Sequence, residues 1–132
     1  MQELTMTLLS GPGFPMGDFT RTIRLQLSLD WAGNPDSQAW YDDPEPWRAW
    51  LDGPEIVERR GDVQYEPDHG WYLRMPSASN EPEDANSWSI HFPSTPARPG
   101  ETVVTRGPNG EDWAWRIVQV EARQEAMGSY QL

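Results

Sequence analysis

The residues that most often carry catalysis or hold metals are few and scattered in this chain. There are two histidines, His69 and His91, and no cysteines. His69 lies in a Pro-Asp-His-Gly turn signal, and His91 lies on the polar side of a predicted strand. A metal site needs three or four converging ligands, and neither histidine has a second ligand at a suitable spacing. We therefore expect two surface histidines and no metal.

Sequence motifs of common enzyme classes are missing as well. There is no Gly-x-Ser-x-Gly elbow, and nothing matches a P-loop or a dinucleotide fingerprint. Two carboxylates are enough for glycoside hydrolysis, but a chain with 21 acids brings some of them together by chance. We expect no enzymatic activity and no cofactor.

The charge is strongly acidic and unevenly placed. The 132 residues carry 10 bases and 21 acids, which gives a net charge of −11. Eleven of the acids, against three bases, fall within residues 30–68, and Glu81, Glu83 and Asp84 form a second group. This balance excludes a basic nucleic-acid-binding domain. Such a surface either keeps the protein soluble, avoids nucleic acid or imitates it.

Eight tryptophans compensate for a low content of aliphatic residues, because each buried indole removes a large apolar area from water. Five of them occupy predicted inward positions of strands: Trp31, Trp71, Trp88, Trp113 and Trp115. Those in the acidic segment have three interpretations: lids on the core, platforms for a sugar or anchors between subunits. We favour lid or interface, with these interface candidates: Trp40, Trp47, Trp50, Arg59 and Arg60.

The elements that must position these residues are mostly strands. Apolar and polar residues alternate over residues 22–31, which predicts a long strand with one buried face. Shorter strands are predicted at 4–8, 63–65, 71–75 and 88–92. The segments 101–106 and 112–120 flank Gly107-Pro108-Asn109-Gly110, a turn typical of a β-hairpin. The predicted core includes these residues: Ile23, Leu25, Leu27, Leu29, Trp88, Trp113 and Trp115.

The remaining segments predict one helix, one loop and a tail. Asp43 and Pro44 favour a helix start, so a short helix is expected at 44–51. Residues 76–86 are polar and acidic, which indicates a mobile loop. We expect one all-β domain over 1–124, a small β-barrel or sandwich with long Pro/Gly-rich loops, and a flexible tail at 125–132. No apolar run reaches the roughly 18 residues that span a bilayer.

The C-terminal hairpin resembles a pattern of small neck proteins in tailed bacteriophages. In head-to-tail stopper (head-closure) proteins, a Pro-Gly-acid segment leads into a strand, a Gly-rich turn follows, and an aromatic-rich strand closes the hairpin. Here Pro99-Gly100-Glu101, the turn from Gly107 to Gly110, and the strand with Trp113, Trp115, Ile117, Val118 and Val120 correspond to these parts. The likeness covers about a sixth of the chain.

The resemblance implies a virion protein that is made in the cytoplasm of the bacterial host. Such subunits form a ring, usually of six copies, in contact with adaptor and tail proteins. Double-stranded DNA passes through the ring without specific binding, and the loop with Glu81, Glu83 and Asp84 is the candidate for the channel. Two alternatives stay open: a Trp-rich β-sandwich that binds carbohydrate or a cell surface, and an acidic inhibitor that mimics nucleic acid.

Overall fold

The computed structural model describes residues 1–54, 56–75, 86–92 and 96–122. They form eight strands and one short helix, α1, at Ser37–Asp42. The strands, in chain order, are β1 Gln2–Ser10, β2 Asp18–Leu27, β3 Trp47–Gly53, β4 Ile56–Glu66, β5 Gly70–Met75, β6 Asn86–His91, β7 Thr102–Arg106 and β8 Asp112–Ala122. No helix in these ranges is long and apolar enough to cross a membrane.

The strands close into a single antiparallel barrel. Each strand pairs with the next, and β8 pairs with β1, where Leu8 lies opposite Trp115 and Gln2 opposite Ala122. This confirms the all-β prediction and selects a barrel over a sandwich. We call the end with the β1–β2, β3–β4 and β7–β8 turns the upper end. The lower end carries the β2–β3, β4–β5 and β6–β7 connections.

The inward side chains of the strands build one apolar core. Leu4, Met6 and Leu8 of β1 are buried, as are Ile23 and Leu25 of β2, because alternate residues of a strand point to the same face. The core prediction is confirmed for Ile23, Leu25, Leu27 and Trp115, which are buried. The other predicted core residues that pack against this cluster are partly buried: Leu29, Trp71, Trp88 and Trp113.

The predicted C-terminal hairpin is confirmed as β7 and β8. Gly110 has a φ of +84°, which glycine adopts at little cost, and the Gly107 amide donates to the Glu111 carbonyl at 2.8 Å. The indole nitrogen of Trp115 donates to the Thr105 hydroxyl inside the barrel at 3.0 Å. On the β1 side, Thr5 lies opposite Gln119 and Met6 opposite Ile117. The residue between, Val118, is therefore bulged and points outward.

The prediction of a strand over 22–31 is wrong at its lower end. β2 starts earlier, at Asp18, and ends at Leu27. Beyond it the chain turns, with Leu29 bridged to Pro35. Trp31 lies at the tip of this turn and is 99% exposed, so its assignment to the core is wrong. The alternation of apolar and polar residues extends to Trp31, whereas β2 pairs with its neighbouring strands only as far as Leu27.

The predicted helix at 44–51 is also wrong, because this stretch contains β3. Trp47 and Ala49 point inward there, and Ala49 lies opposite Leu25 of β2. The helix lies earlier, at Ser37–Asp42, where the Asp36 carboxylate caps it by accepting the Ala39 amide at 3.1 Å. The spacing of Trp47, Trp50 and Leu51 fits a helix, but pairing with both neighbouring strands decides the outcome.

Aromatic residues close the lower end of the barrel. Trp47 is 1% exposed, so it is a core residue and cannot act as an anchor between subunits. Its ring stacks on Trp71 at 5.7 Å, and its nitrogen donates to Asp43 at 2.9 Å. Trp40 of α1 donates to the Val63 carbonyl at 2.9 Å. The short helix thus rests on the barrel and acts as a lid.

Candidate functional site

The upper end of the barrel contains an apolar cavity of about 170 Å³. Its described walls come from β2, β3, β4, β5, β6 and β8, and each residue lies toward the upper end of its strand. The described lining consists of Arg21, Ile23, Leu51, Arg59, Leu73, Met75, Trp88, Trp113 and Trp115. A cavity of this size is comparable with one of roughly 150 Å³ that binds benzene. The cavity is therefore large enough for one aromatic group.

Two arginines stand at inward positions of this apolar wall. Arg21 continues the inward series of Ile23 and Leu25 on β2. Arg59 of β4 lies opposite the inward Leu51 of β3, so it points to the same inner face of the barrel. Long side chains can place apolar stems along such a wall and turn their charged ends toward water. The cavity consequently combines apolar walls with positive charge, an arrangement that suits an aromatic group next to a carboxylate.

The two guanidinium groups differ in their surroundings. Arg21 lies 3.4 Å from the Asp18 carboxylate and stacks over the Phe14 ring at 4.3 Å. Arg59 has no ion-pair partner among the residues that the structure describes. Arg21 is thus held in place by its own subunit, whereas the described residues give Arg59 no such ion pair.

Trp113 offers a second donor beside the cavity. Its indole nitrogen is buried and has no hydrogen-bond acceptor within the described ranges. Its ring lies between Phe14 at 6.5 Å and Trp88 at 6.2 Å, and it packs on Gly11 so closely that a β-carbon there would collide with it. Leaving a buried donor unpaired costs about 1–3 kcal/mol.

Asp18 supports the cavity electrostatically from the start of β2. The Thr20 hydroxyl and the Thr20 amide both donate to its Oδ1, at 2.5 and 2.9 Å. Hydrogen bonds from the Thr20 side chain, with smaller contributions from its amide and from Arg21, hold the pKa of Asp18 below the usual 3.8. The carboxylate therefore stays ionised and keeps Arg21 oriented along the cavity wall.

The turn that carries Trp31 is the second candidate site, at the lower end. The Asp30 carboxylate accepts the amides of Ala32 and Asn34 at 2.9 and 3.0 Å. The Ala97 amide donates to the Gly33 carbonyl at 2.9 Å from the β6–β7 connection. On the other side, the Leu29 amide donates to the Gln2 side chain at 3.1 Å. The turn is braced from both sides, yet its tryptophan ring packs on nothing.

The remaining interface candidates lie apart from both sites. Trp50 is half-buried on the outer wall, with the Arg24 guanidinium 4.8 Å above its ring. Arg60 lies opposite Trp50 on β4 and is exposed. Trp40 is partly buried on the side of α1 that contacts the barrel. Glu81, Glu83 and Asp84 lie outside the described residues, so the proposed channel loop stays a prediction.

The histidines are exposed, as expected from the sequence. His69 lies in the β4–β5 turn beside Glu66 and Tyr72, and Ser89 Oγ lies 3.4 Å from His91 Nε2 on the outer wall. Within the described ranges, no three His, Asp or Glu side chains gather to hold a metal ion.

The inward arginines were the feature that sequence reasoning missed. Arg21 fits the alternation of β2 two positions before Ile23, and extending that pattern toward the N-terminus would have placed it inside the barrel. Arg59 was identified as an interface candidate, but its inward direction depends on the register with β3. Comparison with known proteins gives no match: no family model fits the chain, and no curated protein or solved structure matches it.

Proposed function

We propose that this protein is a structural subunit without enzymatic activity that assembles into a ring. The ring is that of a head-to-tail stopper in a phage neck, with adaptor and tail proteins as neighbours. Its acidity keeps it from binding the double-stranded DNA that passes through it. The proposal includes a virion location and about six copies, the number that the resemblance implies.

The observation that carries the proposal is the full exposure of Trp31 on a braced turn. Tryptophan is enriched in the centres of protein interfaces. Trp31 is 99% exposed although hydrogen bonds fix the backbone on either side. Such a side chain contributes nothing to its own subunit, and burial against another protein gives it a role.

The charge of the chain agrees with a wall that DNA passes. A net charge of −11 repels phosphate, and within a Debye length of about 8 Å this repulsion is felt by a passing duplex. The hairpin that carries the stopper resemblance forms with its Pro-Gly-acid segment directly before β7. The Gly100 φ of +97° lets the chain turn into that strand. These features support the proposal.

An antibody against the purified protein tests this function on particles of the phage that encodes it. Immunogold labelling at the junction of head and tail is expected, together with a ring in a reconstruction of the particle. Labelling on the tail tip or the capsid surface, or absence of the protein from purified virions, would contradict a neck role. A gel-shift assay with duplex DNA is expected to show no binding.

The cavity favours a second candidate function, a monomeric binding module for a small aromatic anion. Up-and-down barrels of eight strands enclose single small ligands in some proteins, and here Arg59 lines the cavity without an ion-pair partner among the described residues. Native mass spectrometry of freshly purified protein distinguishes the two. A monomer that carries a bound small molecule supports this candidate over the ring.

A further inference from the structure

We propose that Trp31 of one copy inserts into the upper cavity of a second copy, so that the subunits join upper end to lower end. This inference rests on the proposed function and specifies the contact between its subunits. The occupant of the cavity is thus a side chain of the same chain, presented at the opposite end of the barrel.

The shapes of the two sites are compatible. The cavity measures about 170 Å³ and is walled by Trp88, Trp113 and aliphatic side chains. An indole is a flat aromatic group, and a dry apolar cavity of similar size, about 150 Å³, binds benzene. Trp31 stands alone at the tip of its turn, so it can enter a neighbouring barrel without first unpacking from its own.

Acids predominate around Trp31, whereas the cavity wall carries two arginines, one of which is paired with Asp18. Between Arg24 and Arg48 the chain has five acids and no base, and Trp31 lies within that stretch. The cavity places Arg21 and Arg59 at inward positions of its wall. Complementary charges steer encounter and fix orientation more than they add affinity. They favour this pairing of ends over the contact of two equal ends.

The positions of the two sites determine the kind of assembly. Arg21 stands near the start of β2 and Trp31 follows the end of the same strand, so the sites lie at opposite ends of the barrel. Each copy therefore offers one tryptophan and one cavity. A contact between unlike surfaces gives a ring when the rotation closes and a filament when it does not. A ring of identical subunits needs a contact of this kind, between two unlike surfaces.

A single indole cannot hold two subunits together strongly. It buries roughly 150–250 Å², whereas a standard interface buries about 800 Å² on each partner. Trp31 then acts as the central anchor of a larger contact, and closure of the ring adds the second contact of each subunit. We expect self-association that depends on concentration and is lost when the anchor is removed.

Sedimentation velocity of the full chain over a concentration series tests the contact. Trp31→Ala removes the anchor, and Arg59→Glu places a negative charge in the cavity. Each variant is expected to weaken self-association by at least about tenfold, which corresponds to roughly 1.4 kcal/mol. Trp31→Phe is expected to retain part of it. In a 1:1 mixture of the Ala and Glu variants, one chain carries the intact tryptophan and the other carries the intact cavity.

That mixture gives the decisive result. The Glu variant supplies Trp31 and the Ala variant supplies the cavity, so a 1:1 dimer and nothing larger is expected. The matched control is Arg60→Glu, which makes the same charge change at the neighbouring outward position and is expected to assemble like the original protein. Val118→Ala, on the outer wall, controls for loss of an exposed apolar side chain.

Three results would overturn the inference. Unchanged association of the Trp31→Ala variant would show that the copies meet elsewhere, and it would leave the proposed ring intact. Equal effects of Arg59→Glu and Arg60→Glu would show that only net charge matters. A wild-type monomer with a small aromatic anion in the cavity would assign the cavity to a free ligand. Labelling of virions, described above, decides the neck role independently.

Discussion

The indole nitrogen of Trp115 donates a hydrogen bond of 3.0 Å to the Thr105 hydroxyl, and both side chains are buried between β7 and β8. The two residues are 3% and 0% exposed, so water cannot serve as the hydrogen-bond partner of either group if the other is removed. The hydrogen-bonding group of the Trp115 ring is thereby satisfied within the core. Its ring also forms part of the cavity wall, which links the stability of the barrel to the shape of the candidate site.

Removing one partner of this hydrogen bond should cost more than removing both. Trp115→Phe leaves the Thr105 hydroxyl unpaired, and Thr105→Val leaves the indole donor unpaired, each at about 1–3 kcal/mol. In the double variant no polar group is left over, so the loss should be smaller than the sum. Urea unfolding of the four proteins measures the coupling. Strict additivity would mean that the hydrogen bond contributes nothing in solution.

The same substitution should destabilise the protein strongly at one tryptophan and hardly at all at another. Trp47→Ala removes a ring that is 1% exposed and stacked on Trp71, and the expected loss is about 3–5 kcal/mol. Trp31→Ala removes a ring that is 99% exposed, and its effect should stay within about 0.5 kcal/mol. Chemical denaturation at low protein concentration, where copies do not associate, gives both values. A large loss for Trp31→Ala would mean that the ring packs within its own subunit.

The turn that presents Trp31 depends on Gly33. Gly33 has a φ of +85°, and a β-carbon there would lie 2.6 Å from Pro96 Cβ. Gly70 has a φ of +80°, and a β-carbon there would have no atom within 4 Å. Both Gly→Ala changes incur the left-handed penalty of about 1–2 kcal/mol. Gly33→Ala should lose more stability because of the contact with Pro96, and it should weaken self-association. Thermal unfolding and sedimentation compare the two, and equal behaviour would show that Pro96 yields.

Stability should fall in acid in a window that Asp18 helps to set. Its folded pKa lies below 3.8 because of the hydrogen bonds from Thr20. A depressed carboxyl pKa contributes stability above the unfolded value, and the contribution is lost as the pH falls through the folded value. The difference between the original protein and Asp18→Asn should therefore shrink below about pH 4. Thr20→Val should move the pKa of Asp18 upward in an NMR titration, and an unchanged pKa would assign the effect elsewhere.

The sequence predicted those parts of the barrel in which local signals agree with the pairing of strands. The hairpin around Asn109 and Gly110 has a turn that tolerates positive φ, and inward residues follow on β8. At Trp47 two patterns competed, since the helical spacing with Trp50 and Leu51 coexists with the alternation of Trp47, Ala49 and Leu51. Pairing of Ala49 with Leu25 on β2 decides between them, and this pairing cannot be predicted from the sequence of one segment alone.

The candidate sites were harder to predict than the fold for the same reason. Trp31 continues an alternating pattern by residue type. However, the side chain of Gln26, and not the backbone of β2, accepts the Arg48 amide of β3, at 3.0 Å. The strand therefore ends, and the tryptophan moves into solvent. The inward direction of Arg59 likewise follows from the strand register. Both features belong to the three-dimensional arrangement and not to any local stretch.

The closure of the barrel limits how another molecule can attach. Each described strand has a hydrogen-bonded neighbour on both sides, including β1 with β8. Open sheet edges are where proteins add foreign strands, exchange segments or start to form fibrils. Along the paired stretches of this barrel no such edge is offered, so recognition falls to side chains at its ends and on its wall. Crowding many copies at one site, as in a ring, then carries little danger of uncontrolled sheet growth.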